Sequence, residues 1–327
     1  MTIDFRVKFL DETKLLEDES KKYFINNLEN IISILTTNLD LPEEYMIVIP
    51  DDYEKELIEF HLENAISGGF TNHEMGKGYA QAIDYINDNR LMYTIFINKL
   101  IIFALQSDYI IDNLEESKDE IIKARKLAIN TIHHELIHIA DVYKAYTTYD
   151  TIIKSNNSDA LKDLLIHFAL SIWKEYFACR LSASTYHMDF VSDIQSLINQ
   201  INDVEKNIKE TIIEYRLHGD INIVEKELLT RTRILLNNTA YLQGHLFVFH
   251  DINEIIKLVK IINEKISESY FTDIWSDMFY ELNELFDTYL KWDMVAFNKL
   301  SQIILKCWNK LGIFPNEAEQ GIYYSIP

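Results

Sequence analysis

Apolar residues recur at three- and four-residue intervals along most of this chain, the period of an α-helix with one buried face. The spacing predicts helices over Glu12–Leu35, Tyr53–Ala65, Glu116–Tyr143, Asp159–Tyr186, Phe190–Leu217, Ile223–Phe249, Asp251–Glu268 and Phe271–Lys310. His218-Gly219-Asp220 interrupts the pattern as a helix stop and restart. Three apolar runs read instead as strands. Tyr45–Ile49 is stopped by Pro50-Asp51-Asp52, while Tyr79–Ile86 and Leu91–Asn98 flank Asn87-Asp88-Asn89-Arg90. Asn and Asp tolerate the positive φ of tight turns, so these last two runs predict a hairpin. The pattern as a whole is mainly α (α+β): a small N-terminal sheet or hairpin, a helical body and a helical C-terminal extension. It divides into 1–188 and 189–327, with no internal repeat and no low-complexity linker.

Composition sharpens this picture. The 327 residues suffice for one large domain or two ordinary ones, and only 8 Gly and 4 Pro interrupt the periodic runs. The formal net charge is -21, from 31 Lys+Arg against 52 Asp+Glu. Such a surface repels phosphate backbones and anionic lipid, so neither nucleic acid nor membrane is an expected partner. Solubility accounts for the charge; attraction of a basic substrate is the second reading. Two cysteines, Cys179 and Cys307, exclude a disulfide framework. The N-terminus lacks the charged-then-apolar layout of a signal peptide, and the longest apolar run considered, Leu100–Leu105, is far below a membrane span. The expectation is a cytoplasmic protein.

One motif carries chemistry. Thr131-Ile-His-His-Glu-Leu-Ile-His-Ile-Ala-Asp141 contains HExxH as His134, Glu135 and His138. His133 does not compete for the register, because the residue four positions on is Ile137. Residues four apart share a helix face, so the two imidazoles can hold one metal ion, with Glu135 beside it. A Zn2+ ion there brings the pKa of its water toward roughly 7, and a neighbouring carboxylate takes the proton as the water attacks a carbonyl.

Two histidines hold zinc poorly, and a catalytic site normally has three protein ligands and an open position. The continuation HExxHxxGxxH is absent. The best downstream candidate is Glu175, in Trp173-Lys-Glu-Tyr-Phe-Ala-Cys-Arg-Leu-Ser182. Glu175, Ala178, Cys179 and Ser182 fall on one helix face, and the small side chains would allow close approach to the HExxH helix. The other reading is a solvent-facing Glu beside a packing seam.

HELIH followed downstream by Glu-Tyr-Phe-Ala-Cys-Arg resembles the gluzincin metallopeptidases, in which two motif histidines and a glutamate on the next helix bind zinc. The run from Glu175 is similar to small bacterial metallopeptidases of the ImmA/IrrE kind, over roughly Gly78 to Tyr186. The resemblance implies a zincin-like metallopeptidase core over 1–188 with zinc on His134, His138 and Glu175. It also implies a strand beside the active helix that pairs with extended substrate, a role open to either hairpin strand. The interval from His138 to Glu175 is longer than in many members.

Other candidates are open between two readings. Asp141 lies on the His134–His138 face, either orienting a ligating imidazole or simply exposed. Tyr241 and His245, one turn apart in Ala240-Tyr-Leu-Gln-Gly-His-Leu246, are candidates for stabilising an oxyanion; the alternative is a core helix with a glycine notch. Gly244 costs such a helix about 1 kcal/mol relative to Ala, which points to a close backbone approach there. Arg180 either pairs with an acidic neighbour or anchors a substrate carboxylate. His61, His167, His187, His218 and His250 stand alone, His73-Glu74 lacks motif spacing, and Gly76-Lys-Gly78 is too short to cradle phosphate.

The leading expectation is a zinc metallopeptidase acting on a protein or peptide, with Glu135 activating zinc-bound water. The alternative is a zincin-fold regulatory or binding protein, in which the metal is structural and the C-terminal helices engage a partner.

Overall fold

In the computed structural model, the described residues are 4–10, 18–66, 72–73, 76–105, 118–156, 159–185, 190–249, 251–319 and 321–327. The chain is mainly helical with small sheets. No helix among the described residues is long and apolar enough to cross a membrane. The contacts divide the chain into two units, 1–144 with 184–187, and 145–183 with 188–327.

The first unit is built on a four-stranded mixed sheet. Strands β1 (Asp4–Leu10), β2 (Glu44–Pro50), β5 (Ala80–Asn87) and β6 (Arg90–Ile97) lie in the order β1-β2-β6-β5. The β1–β2 and β2–β6 pairs are parallel, and β5 closes the edge antiparallel to β6. A two-residue pair, β3 (Asn72–His73) with β4 (Gly76–Lys77), precedes β5. The predicted hairpin is present: Asn87 pairs with Arg90, and Asp88 (φ 49°) and Asn89 (φ 61°) take the left-handed turn positions. Helices α1 (Asp18–Leu35), α2 (Tyr53–Glu63) and α3 (Lys99–Leu105) complete this part. Alternation along β5 and β6 sends Ile83 and Phe96 to one face, where they pack with Val48, Tyr53 and Leu57. Asp52 starts α2 by accepting the Lys55 N–H at 3.2 Å.

Helix α4 (Lys118–Asn156) runs for 39 residues, beyond the predicted end at Tyr143. The second unit adds α5 (Ala160–Ser182), α6 (Phe190–His218), α7 (Ile221–His245), α8 (Ile252–Lys265), α9 (Thr272–Asp287) and α10 (Asn298–Lys310). Asp159, Asp220 and Asp251 cap α5, α7 and α8 from positions directly before each helix. Gly219, at φ 73°, supplies the left-handed residue that ends α6, as the sequence predicts.

Helix α5 is the centre of this unit, with Phe168, Ile172, Trp173 and Tyr176 wholly buried. Its Trp173 indole donates to Tyr149 Oη at 2.8 Å, and the Trp308 indole of α10 donates to Thr232 Oγ1 at 2.9 Å. These two indoles are thus buried without stranding their N–H groups, whereas the buried Trp275 indole N–H has no partner among the described residues. Gly244 of α7 sits against α5 so closely that a Cβ there would lie 2.7 Å from Cys179 Cβ, 2.7 Å from the Tyr176 carbonyl oxygen and 2.9 Å from Arg180 N. The close backbone approach expected at Gly244 is therefore present, and Cys179, on the predicted small-residue face, meets α7.

Several elements depart from the sequence expectations. Strand β1 and helix α3 are additional, and 271–310 is two helices separated by a turn in which Leu290 has φ 62°. A C-terminal hairpin, β7 (Phe314–Ala318) with β8 (Gly321–Ser325), also follows α10. Its Glu317 carboxylate accepts the Ala160 and Leu161 N–H groups at 3.1 and 2.9 Å, satisfying donors that the first turn of α5 leaves open. The predicted starts at Glu12 and Glu116, the end at Tyr186, Ser67-Gly68-Gly69, His187 and His250 lie outside the described residues.

Candidate metal centre

The HExxH segment lies in a stretch of α4 that is buried almost all round. Ile132, Leu136 and Ile137 have no exposure and Ile139 has 2%, so apolar packing fixes the rotation of the helix. His134 and His138, four residues apart, meet with Nε2 atoms 2.9 Å apart and rings edge-on, centroids 4.5 Å apart. Two ligands at about 2.0–2.1 Å in tetrahedral geometry are separated by about 3.3 Å, so a shift of a few tenths of an ångström admits a metal ion. Burial lowers the His134 pKa to about 4, with the nearby His133 adding to the effect. The imidazole is therefore neutral at pH 7, the form in which it ligates a metal.

His133 is engaged elsewhere, as its register implies. Its Nδ1 lies 3.0 Å from Thr185 Oγ1, which also accepts Asn130 Nδ2 at 3.1 Å. Burial lowers its pKa to about 4 as well. Asp141 is buried, at 1% exposure, which removes the reading of it as an exposed helical residue.

Glu135, at 7% exposure, is held by a group that sequence reasoning missed: its Oε2 accepts the backbone N–H of Ala82 at 2.6 Å. Ala82 belongs to β5, the edge of the sheet, so this N–H lies on the side of the strand away from β6. A backbone donor leaves no signal in side-chain identity. Tyr53, buried among Leu57 and Ile83, also senses this carboxylate: its pKa is raised, first by burial and then by the charge of Glu135.

Glu175 lies on α5, half-buried, and burial raises its pKa to about 7. Cys179, one turn on, opposes the shift through a contact of 3.8 Å between its Sγ and Glu175 Oε1. The reading of Glu175 as a plain solvent-facing residue does not describe a carboxyl in this environment. His134, His138 and Glu175 each offer one ligand atom, and the three atoms lie within 4.8 Å of one another.

Tyr241 and His245 form a pair on α7, ring centroids 4.3 Å apart, and His245 Nδ1 donates to the Tyr241 carbonyl at 3.0 Å. His245 has no exposure and is not a member of the three-residue group. Arg180 pairs with no acidic side chain among the described residues, contrary to the first of its two readings. It donates to Tyr176 Oη at 2.7 Å and to Asn283 Oδ1 at 2.9 Å. Among the lone histidines, His61 is buried, while His218 is exposed and accepts the Asp220 N–H through Nδ1.

Chemically, the arrangement combines two imidazoles whose Nε2 atoms meet, one of them kept neutral by burial, with the carboxyl of Glu175 within reach and that of Glu135 on the same helical turn. No family model, no curated protein and no solved structure matches this chain.

Proposed function

We propose that this protein is a zinc-dependent metallopeptidase, with His134, His138 and Glu175 holding the metal and Glu135 serving as general base. The reading rests on one observation: ligand atoms of these three residues lie within 4.8 Å of one another. Two histidines and a glutamate form a donor set that suits zinc and leaves a fourth position for water or substrate. The mixed sheet with an antiparallel edge strand supports a zincin-like core, because β5 brings its Ala82 amide to the base.

When bound, zinc supplies Lewis acidity that acidifies water and polarises a carbonyl. The remaining work falls to the chain. Glu135 accepts the proton of the attacking water on the oxygen that Ala82 does not occupy, then returns it to the departing amine nitrogen. The Ala82 N–H favours the ionised form of Glu135, which a base requires. Burial of His134 keeps its imidazole neutral and its lone pair available. A metal held by Glu175 would displace the proton that burial favours there, so metal uptake would release protons.

The test is elemental analysis of zinc per chain in protein purified without added metal, for the wild type and Glu175→Ala. The expected result is about one zinc in the wild type and clear loss in the variant. Absence of zinc in the wild type would overturn the reading. Full retention in Glu175→Ala would remove Glu175 from the ligand set.

A further inference from the structure

Acidic residues outnumber basic ones 52 to 31 in this chain, and a carboxylate is the ordinary partner of a guanidinium. Arg231, for instance, donates to Glu227 at 2.7 Å. Arg180 differs. Its Cζ lies 3.8 Å from the ring centroid of Phe247 and 3.6 Å from that of Phe286. Two rings cannot both occupy one face of a guanidinium at such distances, so Arg180 is stacked on both faces. Its Nη1 carries two hydrogens, and two neutral acceptors take them: Tyr176 Oη at 2.7 Å and Asn283 Oδ1 at 2.9 Å. The Nε and Nη2 hydrogens form the other fork, and no carboxylate among the described residues pairs with it. Asp287 is near enough to bear on Tyr176, yet it forms no ion pair with Arg180.

The result is a planar cation fixed in orientation, with its open fork still able to make two parallel bonds. Arg180, Phe247, Asn283 and Phe286 each keep part of their surface. A carboxylate matches that fork in geometry and in charge. A phosphate fits less well, because one guanidinium answers a single charge and the chain's net charge of -21 opposes a dianion. The flanking phenyl rings give apolar walls to a side chain next to the carboxylate. We propose that Arg180 forms a binding site for the terminal carboxylate of a peptide.

The site stands apart from the metal reading, and its test uses full-length protein with arginine labelled by nitrogen-15. The Arg180 Nε–H resonance is assigned as the signal missing from Arg180→Lys, then followed during titration with N-acetyl-glycyl-phenylalanine, its C-terminal amide and inorganic phosphate. The free acid is expected to shift that resonance with roughly millimolar affinity, and the amide to bind at least about tenfold more weakly. The same shift persists in EDTA. Arg180→Lys keeps the charge but loses the fork, and is expected to weaken the acid by about tenfold in calorimetry. Should that variant misfold, the acid and amide compared on the wild type still decide. Equal responses to acid and amide, no response to either, a stronger response to phosphate, or a response abolished by EDTA would each overturn the proposal. Loss of zinc in the wild type would leave this result untouched.

Discussion

Glu135→Gln is expected to retain the zinc of the wild type while hydrolysis falls by roughly a hundred- to ten-thousand-fold. Gln has nearly the shape of Glu, and its carbonyl oxygen can still accept the Ala82 N–H that the carboxylate accepts at 2.6 Å. The buried position, at 7% exposure, is therefore filled as before. What disappears is the charge and the capacity to take a proton. Elemental analysis reports the first half of the expectation. Cleavage of an unfolded protein such as casein, followed by gel and mass spectrometry, reports the second. Hydrolysis at wild-type rate in the variant would sink the role given to Glu135. A wild-type protein that binds zinc and cleaves nothing, yet captures a partner equally well with Gln at 135, would favour the regulatory alternative.

Gly244→Ala is expected to destabilise the fold by roughly 1–3 kcal/mol or more, although Ala is the better helix former by about 1 kcal/mol. The added methyl would meet the Tyr176 carbonyl oxygen at 2.7 Å and Arg180 N at 2.9 Å. Both are backbone atoms of α5, so no rotamer change relieves the clash and the helices must separate. Separation would open a seam lined by Tyr176 and Cys179, which have no exposure. Urea unfolding followed by circular dichroism measures the effect as a lower midpoint. A midpoint equal to or above the wild type would show that α5 and α7 have room to give. The same displacement would move Glu175 and Arg180, which lie on α5, so both sites would report it.

The helices and hairpin were legible because their signals are local. Apolar periodicity defines α6, α7 and α8, Asp caps mark four starts, and Asp88-Asn89 takes the conformation its residue types permit. Elements held by distant partners were not legible. The β7–β8 hairpin is tied to the start of α5 by Glu317, about 156 residues away in sequence. Strand β1 takes its register from β2. The break within 271–310 was hidden because apolar residues continue through the turn at Leu290, which adopts a φ of 62° without a glycine.

The candidate metal centre divides along the same line. His134, Glu135 and His138 were readable from one helical turn, because i and i+4 share a face wherever the helix goes. Glu175 was readable only as a carboxyl on a face otherwise lined with small side chains, and its burial comes from packing. The Ala82 amide, the Thr185 hydroxyl and the two rings around Arg180 were not readable. Each acts through a partner 52 or more residues away.

The tether on Glu135 has an unusual relation to mutation. Its donor is main chain, so any residue with an N–H at position 82 preserves it, and scanning with alanine or other side chains would pass over it in silence. Proline alone deletes that hydrogen, and at a strand edge, on the side away from the ladder, it does so without breaking a bond to β6. The position of the proposed base is thus written in strand geometry, which substitution tables of side chains do not read.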